Sequence, residues 1–402
     1  MDIHLSQFNE LEKSNFDLPE NVAICDVTIR DGEQTPGVSF TLEEKVEFVK
    51  LLDKMGVPQI QMHAAGRNMN SRHEAEVICN LGLASKIEVM TYGTNDDWKQ
   101  QVEAAIDCGA DIIHSLMPMS EITRSMGASL SDEQILKRSE EIVNYVRKIS
   151  DKPVNISLID ATRSNHDFLL KTVDRLAELG TDRIRIADTA GVTTPEGISY
   201  LINSVKETTS KYKKEPMIGL HCHNDFGFGL ANVFAGVKAG ATLVDVSVNG
   251  LGERAGNPSL AEVVTGLELL YKVKTNIALD QLFSLSEYVA QVSNFPIPTN
   301  MPLVGEYAFA DESDVHIKVK KDHPLAFQGI HAEAVGNKSK YIIGKNSGPY
   351  TIKVKCEELG LKLPPEKNYE TILNEIKDQS ERNKGKVISD SAFASIINGL
   401  ED

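Results

Sequence analysis

Two histidines one residue apart close the segment HCHND (221–225). On a β-strand, residues i and i+2 point to the same face, so His221 and His223 present two imidazoles side by side. Paired imidazoles suit a divalent cation. Cys222, between them, points the other way and reads as core. A second cluster, TIRDGEQ (28–34), crowds Arg30, Asp31 and Glu33 around Gly32. Asp31 offers a hard oxygen ligand, and Arg30 is a planar donor for a carboxylate or a polarised carbonyl. A third, NGLGERAGNPSL (249–260), sets Glu253, Arg254 and Asn257 among three glycines, where backbone can approach a ligand closely. Asn257 can add a neutral amide oxygen. Asp31, His221, His223 and Asn257 give two nitrogen and two oxygen donors, a set open to Mn2+, Mg2+, Zn2+ or Fe2+.

What must bring these segments together is read from the texture of the chain. From about residue 22 to 275, short β-rich runs alternate with amphipathic helical runs. The strand candidates span 23–31, 59–64, 87–93, 111–119, 154–162, 183–191, 217–225 and 243–252. Helical patterns such as 41–56, 131–149 and 165–180 carry apolar residues at i, i+3, i+4 and i+7. Several open on Ser, Thr or Asn and end at Gly, the usual capping residues. Strict alternation implies a parallel sheet. Eight units predict a closed (β/α)8 TIM barrel over 22–295, with an open doubly wound sheet as the alternative. In a barrel, strands one, seven and eight are neighbours, so the three clusters converge at the C-terminal mouth, where barrel chemistry sits. Residues 1–21 read as an N-terminal extension. Pro-rich FPIPTNMP (295–302) opens a linker and lid segment over 296–350, and 351–402 reads as a small helical subdomain; together these form a mixed α/β lid or dimerisation region.

The net charge of −16 excludes nucleic acid, whose affinity rests on cationic contacts to phosphate, and disfavours an anionic membrane surface. It permits a small anionic substrate, because a local cluster of Arg, His and metal can reverse the field inside a cleft. Five cysteines without a CxxC argue against a disulfide framework, and a reducing, cytoplasmic compartment fits. The polar N-terminus lacks the pattern of a signal peptide.

In combination, RDGEQ (30–34), HCHND (221–225), NGLGERAGN (249–257) and ADTAGVTTPEG (187–197) resemble the barrel metalloenzymes that include 2-isopropylmalate, homocitrate and citramalate synthases, with 3-hydroxy-3-methylglutaryl-CoA lyase a more distant relative. The resemblance covers roughly residues 22–350. It implies a Claisen condensation in which an acyl-CoA, usually acetyl-CoA, attacks the ketone of a 2-oxo acid and the thioester is then hydrolysed. It implies metal binding by Asp31, His221, His223 and Asn257, charge stabilisation by Arg30, and oxo-acid contacts from His114, Ser157 and Thr189. It also implies a homodimer with a shared active site. GEYAFADESDVH (305–316) is similar to the post-barrel segment that supplies a catalytic His to the partner subunit's site, which places His316 in that role. GKNSG (344–348) resembles the stretch that follows. In SEITRSMG (120–127), Arg124 is the nearest match to the Arg that homocitrate synthases use for a distal carboxylate, leaning the substrate toward a dicarboxylic or polar oxo acid. The chain ends at 402, so feedback by leucine through a C-terminal regulatory domain is not expected.

The match fails where protons should move. In SLIDATRS (157–164) Ile159 stands where the family carries a Glu, and an Ile cannot transfer a proton; Asp160 is the available substitute, although strand alternation aims it differently. Gln61 stands where a Glu is usual, with His63 nearby. Asp311 replaces a usual His and Asp314 a usual Gly. Three functions follow: a synthase with a rearranged base, a carbon–carbon lyase or aldolase on the same metal platform, or a ligand-binding paralogue without turnover. A retained His316 favours catalysis, while Ile159 favours the second and third.

Overall fold

The computed structural model describes residues 3–12, 17–66, 68–125, 130–384 and 387–399. The chain divides into two compact units, one of Gln7–Leu279 and Leu285–Pro296, the other of Met1–Ser6, Asp280–Ser284 and Ile297–Asp402. The first is a closed eight-stranded barrel in which each strand pairs with the next and the eighth returns to the first. Its strands are β1 (Ala23–Asp26), β2 (Gln59–Met62), β3 (Lys86–Tyr92), β4 (Ile112–Pro118), β5 (Val154–Ile159), β6 (Arg183–Asp188), β7 (Met217–Cys222) and β8 (Leu243–Val246). All pairings are parallel, and closure is made by Ala23 to Asp26 against Leu243 to Val246. The open-sheet alternative is therefore excluded.

Local chemistry explains where the helices begin and end. The helix Leu42–Met55 opens with a reciprocal capping box between Thr41 and Glu44 and stops at Gly56 in the left-handed region (φ 87°). The helix Asp132–Ile149 opens with the same device between Ser131 and Gln134. Asn165 caps His166–Glu178, and Thr194 with Pro195 starts Pro195–Thr209. Their apolar faces bury residues such as Leu52, Ile142, Leu176 and Ile202 against the outside of the barrel.

Most strands are shorter than their sequence patterns predict, β1 and β8 by the widest margin. β1 stops at Asp26, because the amides of Arg30, Asp31 and Gly32 all turn back to the Val27 carbonyl at 3.0, 2.7 and 3.1 Å. β8 stops at Val246 and passes into a tight turn over Val248–Gly250. Both departures build the barrel mouth.

The barrel interior is not an apolar core. Arg185, 1% exposed, lies 2.7 Å from Glu88 and 3.2 Å from Asp245, all three buried on inward positions of β6, β3 and β8. Glu88 also accepts hydrogen bonds from Gln59, Gln61 and Asn155 at 2.5, 2.5 and 2.9 Å. Burial opposes charging of Glu88, but Arg185 and His114 overcome it and hold its carboxyl well below the usual range.

The second unit holds its own apolar cluster, including Ile352, Ile372, Ile376 and Phe393, under the helices Pro349–Leu359, Tyr369–Arg382 and Asp390–Asn398. Two of its residues that depart from the family pattern have structural partners. Asp314 accepts hydrogen bonds from the Thr351 amide at 2.7 Å and hydroxyl at 2.9 Å. Asp311 pairs with Lys320 at 2.5 Å.

Two expectations follow. Replacing Arg185 by Met leaves Glu88 and Asp245 as uncompensated buried charges and should cost about 3–5 kcal/mol in chemical unfolding; a loss within experimental error would show that the carboxylates are neutral. Asp26, fully buried and bonded to the Thr28 amide and hydroxyl, is raised from 3.8 to about 7, chiefly by burial. A carboxyl raised on folding contributes stability that is present below its unfolded value and is lost as pH rises through its folded one. Asp26→Asn should therefore gain in melting temperature relative to the native chain as pH rises from about 4 to about 7, and level off above that. A difference independent of pH would refute the assignment.

Candidate metal centre at the barrel mouth

The turn after β1 and the end of β7 bring Asp31, His221 and His223 together, each buried, with one potential ligand atom apiece within 4.8 Å of the others. Among the described residues this is the one cluster of three or more His, Cys, Asp or Glu side chains able to hold a metal. The Nε2 atoms of His221 and His223 lie 3.2 Å apart. His221 Nδ1 lies 2.9 Å from Asp245 Oδ2, which fixes the proton on Nδ1 and leaves Nε2 as the lone-pair donor. Asn257 donates from Nδ2 to Asp31 and to the Leu251 carbonyl, while its buried Oδ1 has no hydrogen-bond partner. An acceptor orphaned beside a carboxylate and two imidazoles is what a cation would satisfy. The residues therefore fit a divalent metal.

Electrostatics agree with that fit. Burial alone would raise Asp31, but Arg30, both imidazoles and Asn257 together bring its carboxyl to about 2. Burial, then the neighbouring His221, pushes His223 down to about 4. A metal needs this ionised carboxylate and neutral imidazole. Backbone shape is equally constrained. Gly252 has φ 157°, and a Cβ there would lie 2.2 Å from Asn257 Nδ2 and 2.7 Å from Asp31 Oδ2. No larger residue leaves room for both donors.

The cluster opens onto a cavity of about 220 Å3. Arg30, His114, Ser157 and Thr189 line it together with the metal cluster. Arg30 donates from Nη1 to Asp31 at 2.8 Å and from Nε to Gln61 Oε1. His114 Nδ1 sits 2.9 Å from Glu88, and its Nε2 is 2.6 Å from Ser157 Oγ. Burial keeps His114 below the usual imidazole value despite Glu88. With Nδ1–H held by Glu88, Nε2 accepts the Ser157 hydroxyl. The Thr189 hydroxyl accepts from the Asp160 amide at 2.8 Å, which leaves its own hydrogen to donate. Ile159 lines the same cavity.

Three sequence-derived candidates lie elsewhere. Asp160 does not line the cavity: it turns into the left-handed region (φ 56°) and its buried carboxylate is taken by the Ser120 hydroxyl and by Arg163 at 2.8 Å. It is thus no substitute acid in this arrangement. Arg124 also lies outside the cavity lining; its guanidinium pairs with Asp132 and packs over the Phe168 ring, 5.4 Å from its centroid. The pairing satisfies the charge that a distal carboxylate would have needed. Met126 and Gly127 of the same segment fall outside the described residues. His316 belongs to the second unit, on the helix Asp314–Asp322, half-exposed and stacked on Phe327 at 4.0 Å. Reading by motif passes over Glu88, Arg185 and Asp245. The signal is a charge at an inward position between apolar neighbours: Glu88 between Ile87 and Val89, Arg185 between Ile184 and Ile186, Asp245 between Val244 and Val246.

A closed parallel barrel carrying a carboxylate–bis-imidazole cluster at its C-terminal mouth defines a barrel metalloenzyme architecture. The comparisons narrow it. The HMGL-like family profile matches residues 21–289, and the profile described as homocitrate synthase post-HMGL domain-like matches residues 303–384. The chain is 37% identical to 2-isopropylmalate synthase of Methanocaldococcus jannaschii over 97% of its own length and 74% of that protein's. It is 35% identical to homocitrate synthase AksA of Methanothermobacter thermautotrophicus over 98% and 97% of the two chains. It is 34% identical to (R)-citramalate synthase CimA of M. jannaschii over 94% and 74%. The solved structure of hydroxymethylglutaryl-CoA lyase from Pseudomonas aeruginosa shares the fold, with a TM-score of 0.60 at 20% identity over 68% of this chain and 94% of that one. The chain belongs to the HMGL-like family, and the resemblance carried by its motifs is borne out.

Metal titration by calorimetry tests the centre. Wild-type protein should take up one Mn2+ per chain, and His223→Ala should abolish that uptake. Asp245→Asn should weaken it by about 10–100-fold through loss of the anchor on His221. Unchanged affinity in His223→Ala would place the cation elsewhere.

Proposed function

We propose that the protein catalyses a metal-dependent Claisen-type condensation of acetyl-CoA, or another acyl-CoA, with a 2-oxo acid, giving a 2-alkylmalate-like hydroxy acid and free CoA. The observation that carries this reading is the Asp31–His221–His223 cluster with Arg30 at its edge, in a cavity suited to a small acid. Three relatives similar over nearly the whole chain are synthases that differ from one another in the acid their names specify. Asp31, His221, His223 and Asn257 would hold the cation. Once bound, it supplies Lewis-acid polarisation of a ketone oxygen.

The remaining work belongs to the chain's own residues. Thr189 donates its free hydroxyl hydrogen to the oxo acid's carboxylate. Arg30, held by Asp31 and Gln61, stabilises the negative charge that develops on the ketone oxygen as the carbon–carbon bond forms. His114 and Ser157, fixed through Glu88, keep the cavity floor rigid. The acyl methyl group gives up a proton before attack. Ile159 cannot take it and Asp160 is committed elsewhere, so we assign that proton to His316, acting in the site of a partner subunit within a homodimer. Water then cleaves the thioester and releases the CoA thiol. Ile159 in the cavity wall is also the observation that favours a second reading, a carbon–carbon lyase on the same platform, in which a bound hydroxy acid is cleaved.

Metal-replete protein incubated with acetyl-CoA and a panel of 2-oxo acids should release free thiol with at least one of them, and His223→Ala should not. Arg30→Ala should lower kcat by about 100–1,000-fold. Equal mixtures of His223→Ala and His316→Ala, each inactive, should regain about a quarter of wild-type activity after subunit exchange, since half the dimers then carry one complete site. Absence of thiol release, with cleavage of a 2-alkylmalate instead, would favour the lyase; absence of complementation would sink the shared site.

A further inference from the structure

The cavity is two-sided. One arc, from β7 through β8 to the turn after β1, carries the metal cluster and Arg30. The facing arc, β3 to β6, presents Met90, Tyr92, Leu116, Ile159 and Ala187, interleaved with His114, Ser157, Arg185 and Thr189. Tyr92 and Leu116 are register partners, Leu116 pairs with Ser157, and Ile159 lies two residues further toward the mouth. A small acid whose ketone engages the metal side and whose carboxylate also meets Thr189, at the edge of this arc next to β7, directs the rest of its carbon chain at the arc's apolar residues.

The cations around the cavity point the same way, because each already has a carboxylate partner. Among the described residues that line the cavity, none is an unpaired cation able to receive a second carboxylate. Arg185 is occupied by Glu88 and Asp245, Arg30 by Asp31 and Gln61, and Arg124 is outside the lining and paired with Asp132. An unpaired carboxylate against Ile159 and Leu116 would be desolvated without compensation.

We propose that the site selects a 2-oxo acid with an uncharged, aliphatic side chain, and that Ile159 is the specificity-determining wall against which that side chain packs. This rests on the condensation reading for the choice of a 2-oxo acid, and it reverses the lean toward a dicarboxylic substrate that Arg124 suggested. Ile159 thus has a positive role: the position that offers no proton offers apolar contact.

The test is equilibrium binding to the Mn2+-loaded protein by calorimetry, without any acyl-CoA, using two acids that differ only in the terminal group: 5-methyl-2-oxohexanoate and 2-oxoglutarate. The uncharged acid should bind at least about tenfold more tightly, on the order of the penalty for one uncompensated polar group. Ile159→Ala should weaken binding of 5-methyl-2-oxohexanoate by roughly tenfold, through loss of buried methyl and methylene contacts, and leave pyruvate within about twofold. A melting curve on each variant checks that the fold persists. Tighter binding of 2-oxoglutarate would overturn the inference and leave the condensation reading standing. Equal loss of pyruvate and the longer acid in Ile159→Ala would overturn the role of Ile159. Binding of Mn2+ with no binding of any 2-oxo acid would overturn both the inference and the reading beneath it.

Discussion

Arg185 is a permanent cation almost fully enclosed in the barrel, and the arrangement of the site depends on how that charge is met. A guanidinium cannot shed its proton to escape burial, so opposing carboxylates have to reach it. Glu88 and Asp245 do so from β3 and β8. Each carboxylate then has lone pairs to spare, and these organise the rest. Asp245 orients His221 toward the cation site, and Glu88 orients His114 toward Ser157. Gln61 bridges Glu88 to Arg30, donating to one and accepting from the other. A carboxylate at position 61 could not donate that first bond and would stand against Glu88, so the departure to Gln suits this particular network. Pairs of this kind add little to net stability over an apolar core. Their contribution here is geometric: they fix two imidazole tautomers and one guanidinium without any loop having to close.

The same network sets the depth of the site. Because charged side chains fill the middle of the barrel, the cavity is shallow, with Arg185 and Asp245 at its floor. A ligand therefore meets the metal cluster and the apolar wall together. Strand ends supply both sides, and the turn after β1 carries Asp31 back over the mouth through three amides that share the Val27 carbonyl. Gly252 completes the approach by leaving the space that Asp31 and Asn257 occupy.

Much of this was legible in the sequence, and for identifiable reasons. Eight βα periods announce a parallel barrel, because helical and strand periodicities differ and alternate cleanly here. His221 and His223 share a face through the two-residue repeat, and closure of the barrel places Asp31 beside them. What could not be read was anything set by pairing across the barrel axis. Glu88, Arg185 and Asp245 are about 60 to 160 positions apart along the chain, and no local pattern joins them. Strand ends, those of β1 and β8 most of all, fall short of their sequence patterns because such patterns do not record where hydrogen bonding leaves the sheet. Arg124 was drawn into the site by motif alone, whereas its charge is met by Asp132, eight residues on.

Position 159 shows how a single substitution divides labour within such a site. Along β5, inward positions are Asn155, Ser157 and Ile159, of which the first two join the polar floor and the third the apolar wall. Asp160 is next in sequence, but its left-handed backbone and its bonds to Ser120 and Arg163 turn it out of the cavity. Its contribution is made through its amide, which sets the Thr189 hydroxyl. The strand therefore offers the cavity polar contacts and an apolar face, and no carboxylate. The groups that line the barrel wall suit chelation, charge stabilisation and apolar contact. If carbon–carbon bond chemistry runs here, the proton must be moved by a group on another segment, and His316, held on a separate compact unit beside Asp311 and Phe327, has the chemistry to do it.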